Sequence, residues 1–167
     1  MSFSFLPDII LDSITELTPE FLKRRNIDLL MLDFDNTIVP YTTSIPTEAM
    51  SSWLNSMSNS DIRICIVSNS HKDRVKVFCD KYGLACITGA KKPFSKGIVA
   101  CLEKYSIQPK NAAIAGDQIY TDTLGGNCCG ITTILVKAID NHNFWLKLRH
   151  VAELPFIALA GKRRVKL

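Results

Sequence analysis

Five short apolar runs punctuate the chain, and each gives way to polar or turn-forming residues. They cover about Asp28 to Asp33, Ile62 to Val67, Leu84 to Thr88, Ala112 to Ala115 and Ile131 to Val136. Runs this short, bounded in this way, read as buried strands. Between them, apolar positions recur at the spacing of one helix face. Pro46-Thr47-Glu48 opens such a stretch, with Ala49, Met50, Trp53, Leu54 and Met57 along its stripe. Asp73 to Tyr82 forms another, with Val75, Phe78, Cys79 and Tyr82 inward and Gly83 as its stop. Ser95 is placed to cap a third, which runs to about Tyr105. Thr121-Asp122 opens a short fourth, ended by the glycines near 125–130.

The two ends are less regular. Residues 1–17 hold scattered apolar positions and predict a segment packed over the core. Thr18-Pro19-Glu20 then joins a capping hydroxyl, a proline at the first helical position and an early acid. Residues 1–27 therefore read as a helical extension. Residues 141–167 predict a helix to about Glu153, a short apolar piece and a basic end.

Strand and helix alternate five times, which is the signature of a parallel sheet covered by helices on both faces. The fold class is thus α/β and Rossmann-like, with five strands, in one domain spanning 1–167 and a core at about 28–136. Asp33 and Ser68 are 35 residues apart, and Ser68 and Lys92 are 24 apart. Each interval is filled by one helix and one strand, so neither leaves room for an inserted cap domain. With right-handed connections, the polar clusters that follow the strands share one edge of the sheet, where α/β proteins bind ligands.

Charge adds information about one end alone. The chain carries +4 overall. From Phe144 onward, Lys147, Arg149, Lys162, Arg163, Arg164 and Lys166 against Glu153 leave +5, and the rest of the chain −1. The six cysteines show neither C-x-x-C nor zinc-finger spacing, which fits a reducing cytoplasm. No run approaches the roughly 20 apolar residues of a membrane span, and no signal or transit peptide is visible.

The shared edge gathers Asp33-Phe34-Asp35-Asn36-Thr37, Ser68-Asn69, Lys92-Pro93 and Gly116-Asp117 with Asp122. Clustered carboxylates repel unless a cation or protons compensate them. Their hard oxygens, in an open site, suit Mg²⁺ better than zinc. A hydroxyl and a lysine beside such a cation make a phosphate cradle, and a carboxylate can act as nucleophile. Phosphoryl transfer uses all of these parts.

These four stretches, in this order, resemble the motifs of the haloacid dehalogenase (HAD) superfamily over residues 28–136. Ala90-Lys91-Lys92-Pro93 and the run from Gly116 to Asn127 more closely resemble the YqeG-type phosphatases of subclass IIIA, a group similar to phosphatidylglycerophosphate phosphatases. The resemblance implies a HAD fold and a role for each residue. Asp33 would attack phosphorus, and Asp35 would protonate the leaving oxygen and then activate water. Ser68 and Lys92 would hold the phosphoryl oxygens, with Thr37 and Asn69 as further substrate-side positions, Thr37 bracing the loop rather than reacting and Asn69 either contacting substrate or forming the turn. Mg²⁺ would sit on Asp33, the backbone carbonyl of Asp35 and Asp117, with Asp122 bound directly or through water. Asn36 departs from the glycine common in the superfamily, but asparagine tolerates left-handed backbone.

The same resemblance makes phosphatidylglycerophosphate the first substrate expectation. The basic, apolar tail agrees, since it can meet an anionic membrane surface peripherally; docking on the core is its other reading. The alternatives are a polynucleotide 3′-phosphatase, which shares the Lys-Pro pair, and a receiver-like phospho-accepting domain. The chain lacks a basic aromatic groove for a nucleic acid strand outside its tail.

Overall fold

The computed structural model describes residues 3–71, 73–140 and 154–161. Six parallel strands form one sheet: β1 (Ile9–Leu11), β2 (Leu29–Leu32), β3 (Arg63–Val67), β4 (Ala85–Ile87), β5 (Ala112–Gly116) and β6 (Thr132–Val136). Their spatial order is β1-β6-β5-β2-β3-β4. From β2 the chain steps outward to β3 and β4, then returns to lay β5 on the other side of β2. The strand order thus reverses between β2 and β5, and their carboxyl ends open the crevice in which such sheets bind ligands.

All four residues of β2 are buried, as a strand covered on both faces requires. Alternation sorts them between two cores. Leu30 and Leu32 join Ile64, Ile66, Ala113 and Ala115 on one face. There they meet α2 (Glu48–Ser58) through Trp53, Leu54 and Met57, and α3 (Asp73–Tyr82) through Val75 and Phe78. Leu29 and Met31 join Cys65, Val67 and Ile114 on the other face, under Ile98 and Cys101 of α4 (Lys96–Tyr105). Each fully buried Leu or Ile contributes about 1.5–3 kcal/mol relative to exposure. The α2 stripe is core: Trp53 is 7% exposed and its indole N–H donates to the Leu17 carbonyl at 2.7 Å.

Several caps follow the sequence. Thr18 Oγ1 accepts from the Phe21 N–H at the start of α1 (Pro19–Arg24), and Thr47 Oγ1 accepts from the Met50 N–H at the start of α2. Ser95 does not: its backbone is already helical and its hydroxyl makes no capping bond. The short helix expected from Thr121 begins earlier, as a π-helix over Ile119–Thr123 that runs into α5 (Leu124–Cys129).

The sheet has six strands rather than five, because the N-terminal stretch is more than a helical extension. Ile9, Ile10 and Leu11 pair in register with Ile134, Leu135 and Val136 of β6. Asp8 fixes that register, accepting from the Thr133 N–H at 2.9 Å and the Thr133 hydroxyl at 3.0 Å. Asn127 Nδ2 donates to the carbonyls of Ser4 and Leu6, tying down the segment before β1.

Of the tail, residues 154–159 are helical and Ala160 is buried against Ile10, Ile119 and Leu135. Phe156 packs on Phe5 and Tyr120, with ring centroids 5.0 and 6.2 Å away. The expected helix to Glu153, the basic positions 147–150 and 162–166, His142 and His150 lie outside the described residues. Among the described residues, no helix is long and apolar enough to cross a membrane.

Candidate active site

The strand order brings the sequence motifs together at the β2–β5 crevice. Leu32 lies opposite Ala115, so Asp33 leaves β2 beside Gly116, its N–H donating to the Ala115 carbonyl at 2.9 Å. Lys92 arrives on the connection from β4 to α4. Its ammonium donates to Asp33 Oδ1 at 2.7 Å and to Asp122 Oδ1 at 2.6 Å. Its neighbour Lys91 is exposed, with a left-handed φ of 56°. Asp122 comes from the π-helix after β5, where the Thr121 hydroxyl touches its Oδ2 at 3.3 Å.

This cluster is buried. The Lys92, Asp33 and Asp122 side chains are 1%, 8% and 2% exposed. Burial, against the pull of Lys92 and helped by the charge of Asp122, pushes the Asp33 carboxyl up to about 6. Burial alone favours a neutral amine at Lys92, but Asp122 and Asp33 outweigh it and hold the ammonium above its ordinary value.

Asp33, Asp117 and Asp122 each offer an oxygen, and these atoms lie within 4.8 Å of one another. All three residues are buried. One lysine cannot balance three ionised carboxylates in a low-dielectric site, and a divalent cation on oxygen ligands can. The residues present therefore fit a hard divalent metal.

A cavity of about 140 Å³ opens above, lined by Asp33, Asp35, Ser68, Asn69 and Lys92 together with Tyr41, Ser70, Gln118 and Thr121. Ser68, buried at the end of β3, accepts from the Ser70 N–H through its Oγ at 3.1 Å. Asn69 makes a reciprocal pair with the backbone of Lys92: Oδ1 accepts from its N–H at 2.6 Å and Nδ2 donates to its carbonyl at 3.0 Å. Its amide thus holds the lysine in place as well as facing the cavity. Thr37 is not among the cavity-lining residues. It is 2% exposed inside the turn after Asp35, and its hydroxyl finds no hydrogen-bond partner among the described residues. Asn36 adopts φ 62°, the left-handed geometry asparagine tolerates, and its Nδ2 donates to the Asp140 carbonyl at 2.7 Å.

Sequence reasoning missed Arg74, which holds Asp35. Its Nη2 donates to Asp35 Oδ1 at 2.5 Å. One signal was available: a cation in the first turn of α3 opposes the helix dipole and calls for a partner off the helix.

The sequence pattern of the family described as mitochondrial PGP phosphatase matches residues 2–139. The chain belongs to that family. Among curated proteins, the probable phosphatase YqeG of Bacillus subtilis (strain 168) is 37% identical over 135 residues, covering 81% of this chain and 78% of that protein. Among solved structures, the cobalt-bound deoxy-D-mannose-octulosonate 8-phosphate phosphatase of Haemophilus influenzae aligns with a TM-score of 0.56 at 12% identity. That alignment covers 84% of this chain and 93% of the other. A HAD-superfamily hydrolase of subfamily IA from Geobacter sulfurreducens aligns with a TM-score of 0.51 at 13% identity, covering 69% and 92%. At such identities the two structures speak for the fold, and the fold is HAD-like. With its family, the chain is a HAD-type phosphatase.

Proposed function

We propose that this phosphatase is a Mg²⁺-dependent phosphomonoesterase working through an aspartyl phosphate, within a single hydrolase domain. The observation that carries the reading is the Lys92 ammonium shared between Asp33 and Asp122 beneath the cavity. A carboxylate so placed meets a phosphoryl group with a cation already beside it, which offsets the repulsion between two anions. Asp33, Asp117 and Asp122 would hold the metal with the Asp35 carbonyl, and the metal would supply charge neutralisation for the phosphoryl oxygens.

The residues of the chain would then act in two steps. Asp33 forms a bond to phosphorus as the ester P–O bond breaks, and Asp35 gives its proton to the leaving oxygen. The Asp35 carboxylate next takes a proton from water as that water bonds to phosphorus, and the bond to Asp33 breaks to release phosphate. Ser68 and Lys92 hold the phosphoryl oxygens throughout, while Asn69 keeps the Lys92 backbone in place.

The reading extends to phosphatidylglycerophosphate as substrate, in phospholipid synthesis. The cavity is small beside the roughly 300–1,000 Å³ of sites that enclose a drug-sized ligand, so a phosphoryl end enters and the rest stays outside. Tyr41, Ile45 and Phe94, on the loops after β2 and β4, are 42%, 74% and 73% exposed, an apolar margin suited to a lipid surface. The +5 tail adds attraction to anionic head groups. Its basic residues would make the chain a peripheral protein on the cytoplasmic face of the membrane, where six free cysteines stay reduced.

Hydrolysis of p-nitrophenyl phosphate with Mg²⁺, lost in Asp33→Asn, is the expected result; activity that survives the substitution removes the nucleophile assignment. Anionic vesicles carrying phosphatidylglycerophosphate should release phosphate. Release from a 3′-phosphorylated oligodeoxynucleotide instead would assign the substrate to nucleic acid, and stable phosphorylation without turnover would favour a signalling domain.

A further inference from the structure

The two steps above give Arg74 no part, yet this side chain grips the loop that carries both acids. Nη2 donates to Asp35 Oδ1 at 2.5 Å and to the Pro40 carbonyl at 3.3 Å, and Nη1 donates to the Tyr41 carbonyl at 2.7 Å. The guanidinium carbon also lies 5.1 Å from the centre of the Phe34 ring. Phe34, Asp35, Pro40 and Tyr41 thus converge on one residue of a different element. The ion pair is sheltered, with side chains 18% and 15% exposed.

Two features separate this from an incidental surface pair. Arg74 is the second residue of α3, where a cation opposes the helix dipole, so the helix itself gives it no electrostatic support there. The contacts also use what arginine alone offers: a planar fork that reaches a carboxylate and two carbonyls at once while its face lies on an aromatic ring.

We infer that Arg74 is a positioning residue for Asp35. It binds one carboxylate oxygen and anchors that bond to the 40–41 turn, fixing the direction from which the carboxyl group meets the leaving oxygen. A carboxylate on a short side chain has few orientations, and fixing one of them is worth much: misplacing a reacting group by 1 Å can cost roughly 10²-fold. The inference rests on the reading of Asp35 as the leaving group's proton donor.

The test compares two leaving groups in one preparation. p-Nitrophenolate departs without a proton, whereas the alkoxide of glycerol 3-phosphate needs one. The ratio of kcat/KM for p-nitrophenyl phosphate to kcat/KM for glycerol 3-phosphate does not depend on how much of a variant is folded. In Arg74→Ala this ratio should rise by about 10-fold or more, approaching the rise in Asp35→Asn, since a positioned general acid supplies about 10²–10⁴-fold. Arg74→Lys, which keeps the charge but loses the fork, should fall between Arg74→Ala and the parent. If Arg74→Ala lowers both substrates alike, or neither, while Asp35→Asn raises the ratio, Arg74 merely braces the loop and the inference is wrong. If Asp35→Asn leaves the ratio unchanged, the acid assignment itself fails, and the inference fails with it.

Discussion

A methyl group added at Gly116 would sit 2.3 Å from the carboxyl carbon of Asp122. The absence of a side chain there is what lets the π-helix bring Asp122 against the end of β5 and on to Lys92. Gly116→Ala should therefore displace Asp122 and lower kcat on p-nitrophenyl phosphate by about 10-fold or more, with the circular dichroism spectrum unchanged. Undiminished turnover would show that Asp122 can shift without consequence. Neither Gly116's spatial role nor that of Arg74 was legible in the sequence. Asp33, Asp35, Ser68, Lys92, Asp117 and Asp122 were legible because each stands in a short polar break beside an apolar run. Arg74 meets Asp35 across 39 residues, and no local pattern records that. Thr37 is buried inside the turn, as a residue that braces the loop would be.

The elements divide in a similar way. The five expected strands stood out as short apolar runs bounded by polar or turn-forming residues, β5 being framed by Pro109 and Gly116-Asp117. β1 has three residues and sits at the sheet edge, too short for any periodicity to show. Its place is set by Asp8, which reaches Thr133 across 125 residues. Asp8→Ala leaves the N–H of the fully buried Thr133 without that acceptor, at a cost of about 1–3 kcal/mol. The expected outcome is a lower urea midpoint with an unchanged slope; an unchanged midpoint would mean that β1 holds its register by apolar packing alone. The π-helix was equally hidden, because its five-residue bonding period leaves no mark that differs from an ordinary helix start.

Across the whole molecule, the acidic cluster should tie stability to both protons and metal. Burial holds the Asp33 carboxyl at about 6 rather than 3.8 in the folded protein. The folded state therefore binds this proton more tightly than the unfolded chain does. The stabilisation from that proton is present at low pH and is lost as the pH rises through about 6. A divalent cation binds the carboxylate and must displace the same proton, so its own stabilisation grows over that interval. At a fixed Mg²⁺ concentration, the rise in Tm should be larger at pH 7.5 than at pH 5.5. An equal rise at both would place the ion away from Asp33.

The proposed mechanism passes through a phosphorylated Asp33, which can be trapped. Borohydride reduces an aspartyl phosphate to homoserine and leaves a free carboxylate alone. Acid-quenched samples taken during turnover of p-nitrophenyl phosphate with Mg²⁺ should yield, after reduction and digestion, a peptide with homoserine at position 33. No such peptide should appear without substrate. Homoserine at another aspartate, or none at any position while phosphate is being released, would contradict the assignment of Asp33 as the nucleophile.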